Sequence, residues 1–182
     1  KLKPKNKVGE EKKLLKKWGQ FVKKRLSLKG EIIIGITGKY TGLRDSYASI
    51  LKSLEHAGVA NNVKVNVKWV ETTKIETGKL KVDDALKDVQ GIIVPGGFGK
   101  IGAEGKIACV KYARENNIPY LGLCYGFQMA LIDFARNVCG LKDAHTTETD
   151  PKAKHPVVDI LPEQINIETV GGNMRLGGQD VQ

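Results

Sequence analysis

The apolar and polar positions of this chain follow two periods. EIIIGI (31–36), GIIVP (91–95) and IPYLGL (118–123) are short, nearly unbroken apolar runs, as expected of parallel strands covered on both faces. VKVNVKWV (63–70) alternates strictly and predicts a strand with one polar face. Helical spacing fills the intervals. Tyr47, Ile50, Leu51 and Leu54 predict the inner face of a helix with Asp45 as its N-cap and Gly58 as its stop. Further helices are expected over 82–89, 102–117 and 126–138, and further strands at VVDIL (157–161) and MRLG (174–177). This βαβα order predicts an α/β fold: an open, mostly parallel sheet with helices on both faces.

The first 29 residues differ from the rest. Leu14, Leu15, Trp18, Phe21, Val22 and Leu26 recur at helical spacing among lysines, and Ser27 to Gly30 marks a break. This segment carries 12 Lys or Arg against 2 Glu, and the remaining 18 basic and 18 acidic residues balance, so the formal charge of +10 belongs to the leading segment. Residues 1–29 are therefore expected to be a basic linker helix packing on a neighbouring domain, and residues 30–182 the globular domain. Neither nucleic acid nor a membrane is expected as a partner.

Three cysteines without a C-x-x-C pair make no disulfide framework, and with no signal or spanning segment the expected setting is cytoplasmic. Cys109 and Cys139 are expected on helices as core residues. Cys124 is different. In LGLCYGFQ (121–128) it lies between Gly122 and Gly126, where a strand gives way to a helix. A nucleophile on such a turn is pushed clear of the sheet, the small neighbours make room for it, and the helix N-terminus favours thiolate. The amide of Tyr125 is placed to help form an oxyanion hole, and PGGFG (95–99), one βαβ unit earlier, offers the amides of Gly96 and Gly97 as further donors. The spacing of GITGKY (35–40) excludes a phosphate loop. A base for the cysteine is not singled out by spacing: His56 is expected at the surface near a helix end, and His145 and His155 in a loop-rich stretch.

These motifs resemble the class I glutamine amidotransferases, whose nucleophile pattern is G-x-C-x-G-x-Q and whose fold is flavodoxin-like. Within that class, GKYTGLRDSYASILKSLEHAG (38–58), VPGGFGKIGAEGK (94–106), ALIDFARNVCGLKDAHTTETDP (130–151), HPVVDILPEQ (155–164) and GGNMRLG (171–177) resemble the glutaminase domain of CTP synthases, and the basic helix resembles the linker preceding it. The resemblance implies Cys124 as nucleophile and Gly97 and Tyr125 as oxyanion donors. It implies a substrate site at Gly96, Gly97, Tyr125, Gly126, Phe127, Gln128 and Glu148, with the last two holding the amino-acid head of glutamine. No metal or cofactor is implied for this domain. The whole enzyme is implied to be a homotetrameric ligase of pyrimidine biosynthesis that uses ATP and Mg²⁺ in its synthetase domain, with GTP as activator.

Two departures qualify the resemblance. CTP synthases usually carry Leu and Met where this chain has Tyr125 and Phe127, and Cys-Tyr-Gly is familiar from the glutaminase of GMP synthetase. The family's base histidine, its glutamate and a substrate-binding arginine follow the MRLG block, beyond Gln182, and His155 is not expected to replace that base. The chain alone is thus expected to turn over weakly or not at all. A GMP synthetase glutaminase, or a silent glutamine-binding fragment, remains the alternative.

Overall fold

The computed structural model describes residues 8–39 and 44–160. They form two compact units, the first ending at Ala130 and the second beginning at Leu131. In the first, α1 (Val8–Leu26) precedes β1 (Gly30–Gly38), a 3-10 turn (Arg44–Tyr47), α2 (Ala48–Asn61) and β2 (Val63–Glu71). There follow α3 (Thr72–Glu76), α4 (Val82–Leu86), β3 (Gly91–Val94), α5 (Ala103–Glu115) and β4 (Tyr120–Gly122). Helix α6 (Tyr125–Asn137) runs across the boundary, and the second unit adds β5 (Ala144–Thr146) and β6 (His155–Val158).

The four strands of the first unit are all parallel and lie in the order β2-β1-β3-β4. The apolar runs are buried as a parallel strand requires: Ile36, Ile92 and Val94 are at most 2% exposed, and Val70, Leu86, Ile107, Val110 and Met129 complete the core beside them. The chain leaves β1 toward β2 and returns across β1 to β3. The carboxyl ends of β1 and β3 therefore flank a switch point, where α/β sheets open a crevice. The ladder between β1 and β3 is extended by Gln90, whose amide donates to the Ile33 carbonyl at 2.9 Å and whose Oε1 accepts from the Ile33 amide at 2.6 Å.

Several sequence expectations need correction. Asp45 lies inside the 3-10 turn, and α2 starts after Tyr47 with no side-chain cap. Gly58 does not stop α2, which continues to Asn61 and ends on Asn62 at φ 60°. Gly58 is there for proximity, since a Cβ would come within 2.6 Å of the Val63 carbonyl oxygen. Cys109 is fully buried on α5 as expected, whereas Cys139 follows the end of α6 and is exposed. His145 and His155 lie on β5 and β6, which pair in parallel with Ala144 opposite His155. The strand expected at 157–161 begins earlier, at His155, and ends at Val158. MRLG (174–177) lies outside the described residues.

Candidate functional site

Two chain segments meet at the carboxyl edge of the sheet. After β4, the Leu123 amide donates to the Val94 carbonyl at 2.9 Å and fixes the chain beside β3. Cys124 then takes φ 50°, the left-handed region that a side chain adopts only when its surroundings enforce it. The next residue begins α6, with the Gly126 amide donating to the Leu123 carbonyl at 2.9 Å and the Gln128 amide to the Cys124 carbonyl at 3.2 Å.

What enforces the turn is close packing that admits only glycine. A Cβ at Gly122 would sit 2.6 Å from the Phe127 amide nitrogen, and one at Gly126 would overlap the Val94 carbonyl. The Tyr120 hydroxyl adds a 2.7 Å bond to the Gly126 carbonyl. The result is an exposed thiol at the head of a helix, a strained strand-to-helix elbow. Cys109 makes the contrast: burial pushes its thiol up to about 12, so it stays protonated and inert.

The loop after β3 lies against this elbow. A Cβ built at Gly96 would be 3.6 Å from the Cβ of Cys124, and one at Gly97 would be 4.0 Å from the Tyr125 ring. Beyond them the chain passes Phe98, which is 73% exposed, and takes left-handed conformations at Gly99 and Gly102 before α5. Four side chains hold this loop. Lys39 Nζ donates to the Phe98 carbonyl at 3.0 Å, and Tyr125 Oη donates to the Gly99 carbonyl at 2.8 Å. Glu76, at the end of α3, accepts from the amides of Gly102 (2.8 Å) and Glu104 (3.2 Å), capping α5 from another element. Lys106 lies beneath the loop, its Nζ 3.2 Å from where a Gly97 Cβ would be and 4.9 Å from the Tyr125 ring centroid.

Lys106 is only 4% exposed, and its pKa is lowered to about 8, chiefly by burial, then by the Lys39 charge, with Cys124 opposing the shift. Lys39 and Lys106 line a cleft of about 320 Å³ at the switch point, together with Gly38, Ser46, Tyr47 and the Gly96–Phe98 segment. Burial raises the Tyr47 phenol, and the carboxylate of Glu71 adds to the effect.

The structure thus brings together Gly96, Gly97, Cys124, Tyr125 and Gly126 at the edge of β3 and β4, with Phe127 exposed and Gln128 half-buried on α6. Gln128 Oε1 is buried and has no hydrogen-bond partner among the described residues. Glu148 belongs to the second unit, where it is exposed in the turn after β5 and its amide donates to Thr146 Oγ1 at 3.3 Å. Sequence reasoning missed Lys39, Glu76 and Lys106, and it read Tyr125 only for its amide. No local pattern marks Lys39 or Glu76, because each acts on a loop far from it in the chain, and the lysine at 106 gives no sign in sequence that it is buried. Among the described residues no cluster of His, Cys, Asp and Glu could hold a metal ion, and no helix is long and apolar enough to cross a membrane.

Known proteins resemble this chain in sequence and fold. The chain is 52% identical over 167 residues to the CTP synthase of Thermococcus gammatolerans and 52% identical over 168 residues to that of Pyrococcus furiosus. Each alignment covers 92% of this chain and 31% of the relative, so the chain spans about a third of the length of the curated relatives it matches. Among solved structures, the glutaminase domain of Trypanosoma brucei CTPS with bound acivicin superposes with a TM-score of 0.67 at 37% identity. That match covers 74% of this chain and 52% of the other. Residues 43–181 match glutamine amidotransferase class I, a span that includes the elbow, and the chain belongs to that family.

Proposed function

We propose that this chain is the glutaminase part of a CTP synthase, releasing ammonia from glutamine for a synthetase domain of the same polypeptide. The observation that carries the reading is the elbow: an exposed thiol at φ 50°, at the head of α6 and against the Gly96–Gly97 backbone. The relatives at 52% identity, named CTP synthase, supply the larger context.

In this reading the Cys124 sulfur attacks the side-chain carboxamide carbon of glutamine. The carbonyl electrons move onto oxygen, where the amides of Gly97 and Tyr125 receive them, with Gly96 beside them. Collapse of the intermediate breaks the C–N bond, and ammonia leaves with the proton taken from the thiol. Water then cleaves the C–S bond of the thioester, giving glutamate and the free thiol. Gln128 contributes to holding the amino-acid head of glutamine in this reading. Both steps need a general base, which the proposal assigns to the rest of the polypeptide and not to His155.

ATP, Mg²⁺ and UTP belong to the synthetase domain, with GTP as activator and a cytoplasmic homotetramer as the working assembly. Residues 1–29 serve as the linker. Helix α1 presents Leu14, Leu15, Trp18 and Leu26 to solvent, more than half exposed, which suits a helix that packs on a further domain.

The test is CTP formation from UTP by the full-length polypeptide, with glutamine or with ammonium chloride as nitrogen donor. Cys124→Ala is expected to abolish the glutamine-dependent reaction and to leave the ammonia-dependent one. Glutamine-dependent synthesis surviving in Cys124→Ala would sink the reading.

A further inference from the structure

The side chain at position 125 has a role that its backbone does not explain. An oxyanion hole requires only the amide there, yet the phenol crosses to the other half of the site. Tyr125 is 2% exposed, its hydroxyl donates to the Gly99 carbonyl at 2.8 Å, and its ring faces the Lys106 ammonium at 4.9 Å. Lys106 in turn lies under Gly97, on the residue whose amide would meet the developing charge. One side chain therefore ties the elbow to the loop that must sit a fixed distance from it.

We propose that Tyr125, through its hydroxyl and its ring-held Lys106, is a positioning residue that clamps the Gly96–Gly99 loop in register with Cys124 for oxyanion stabilisation. This rests on the glutaminase reading above and adds a specific source of its preorganisation.

The physical case follows from the shape of the loop. Gly96, Gly97 and Gly99 lack side chains with which to anchor themselves, and Gly99 sits at φ 80°. A loop of this kind gains its order from groups that bind its carbonyls. Lys39 takes the Phe98 carbonyl from the β1 side, and Tyr125 takes the next one from the nucleophile side. The second links the loop directly to the elbow, so its loss should let the Gly97 amide drift from the reacting carbon. Preorganised donors contribute where charge develops, in the transition state rather than in the bound substrate. Lys106 acts in the same direction: an ammonium kept out of water under Gly97 holds the loop electrostatically.

The experiment measures glutamine hydrolysis and Cys124 alkylation in the full-length polypeptide, comparing the wild type with Tyr125→Phe. A small neutral chloroacetamide serves as the alkylating probe, because displacement of its chloride builds no oxyanion. Tyr125→Phe keeps the ring and deletes one hydroxyl. It is expected to lower kcat for glutamine by about three- to tenfold, the scale of one hydrogen bond, with KM and the alkylation rate within about twofold of wild type. Lys106→Met is expected to lower kcat in the same way, and it decides the matter if Tyr125→Phe does not fold.

An unchanged kcat would overturn the clamp, and so would a KM or alkylation rate that moves in proportion to it. Wild-type protein without Cys124-dependent glutaminase activity would instead overturn the parent reading and the clamp with it. The Cys124→Ala control separates the two failures.

Discussion

The elbow and the leading helix are opposite solutions to the placement of a side chain. At the elbow the backbone is over-determined. Gly122 and Gly126 are in contact with neighbouring backbone, Cys124 is held at φ 50°, and the Tyr120 hydroxyl closes the turn. Along α1 almost nothing touches. A Cβ at Gly19 would meet no atom within 4 Å, and Trp18 is 61% exposed. What holds α1 to α2 is a rim of contacts: Phe21 edge-on to His56 at 5.1 Å, Lys24 Nζ on the Ala60 carbonyl at 3.0 Å, and an Arg25–Glu55 ion pair. The first region specifies a geometry; the second specifies a surface. The same substitution should therefore act in opposite senses in the two places.

The largest effect is expected at the nucleophile itself. Cys124→Ser should lower glutamine-dependent turnover by roughly 10³-fold or more, read as ammonia release by the full-length polypeptide, while Cys139→Ser should leave it within about twofold. Comparable losses in both would erase the distinction between the elbow thiol and an exposed surface thiol.

Next comes packing. Gly126→Ala forces a Cβ into the Val94 carbonyl and should cost about 3 kcal/mol, measured from the urea midpoint. A neutral result would show that the elbow can relax and is not over-determined.

Lys106 gives a pH test. Its folded-state pKa, about 8, lies below the ordinary 10.5, so between those values the unfolded chain binds more protons. Stability gains from this site as pH rises through that window: the cost of burying the ammonium is complete below about 8 and gone above 10.5. Lys106→Met should therefore be more stable than wild type at pH 7, with an advantage that shrinks toward pH 10.5. An advantage that does not depend on pH would mean that packing, not charge burial, sets the difference. A residue that lowers stability while aiding turnover is the pattern expected of a site tuned for chemistry.

The smallest effect belongs to α1. Gly19→Ala removes a helix-interior glycine with open space beside it, and should raise stability by about 0.5–1 kcal/mol. Together with the loss at Gly126, this would give opposite signs for one substitution in one fold.

The parts legible in the sequence were those whose physics is local. Apolar runs such as GIIV became buried parallel strands, and the Gly-x-Cys-x-Gly joint announced the elbow because the glycines that make room for it flank the cysteine in sequence. The α5 cap was not legible: Glu76 reaches the Gly102 amide across 26 positions, and nothing in either segment names the other. The Tyr125 hydroxyl was hidden for the same reason, since its acceptor is the Gly99 carbonyl, 26 residues earlier. Gly58 misled because two physical demands select glycine, a helix stop and a close approach, and only the three-dimensional neighbour, Val63, tells them apart. The exposure of Cys139 was not legible, because the expected helix ends at Asn137 and its place after that end leaves it at the surface. Strand β5, three residues long, carries too short a pattern to be read, and β6 was expected at 157–161 and begins instead at His155.

The most direct test is covalent labelling of the full-length polypeptide with a diazo-ketone analogue of glutamine, read by intact mass and peptide mapping with and without excess glutamine. A single adduct on Cys124 is expected, suppressed by glutamine and absent from Cys124→Ala, with Cys139 untouched although it too is exposed. An adduct on Cys139, or labelling of Cys124 that glutamine does not suppress, would contradict it.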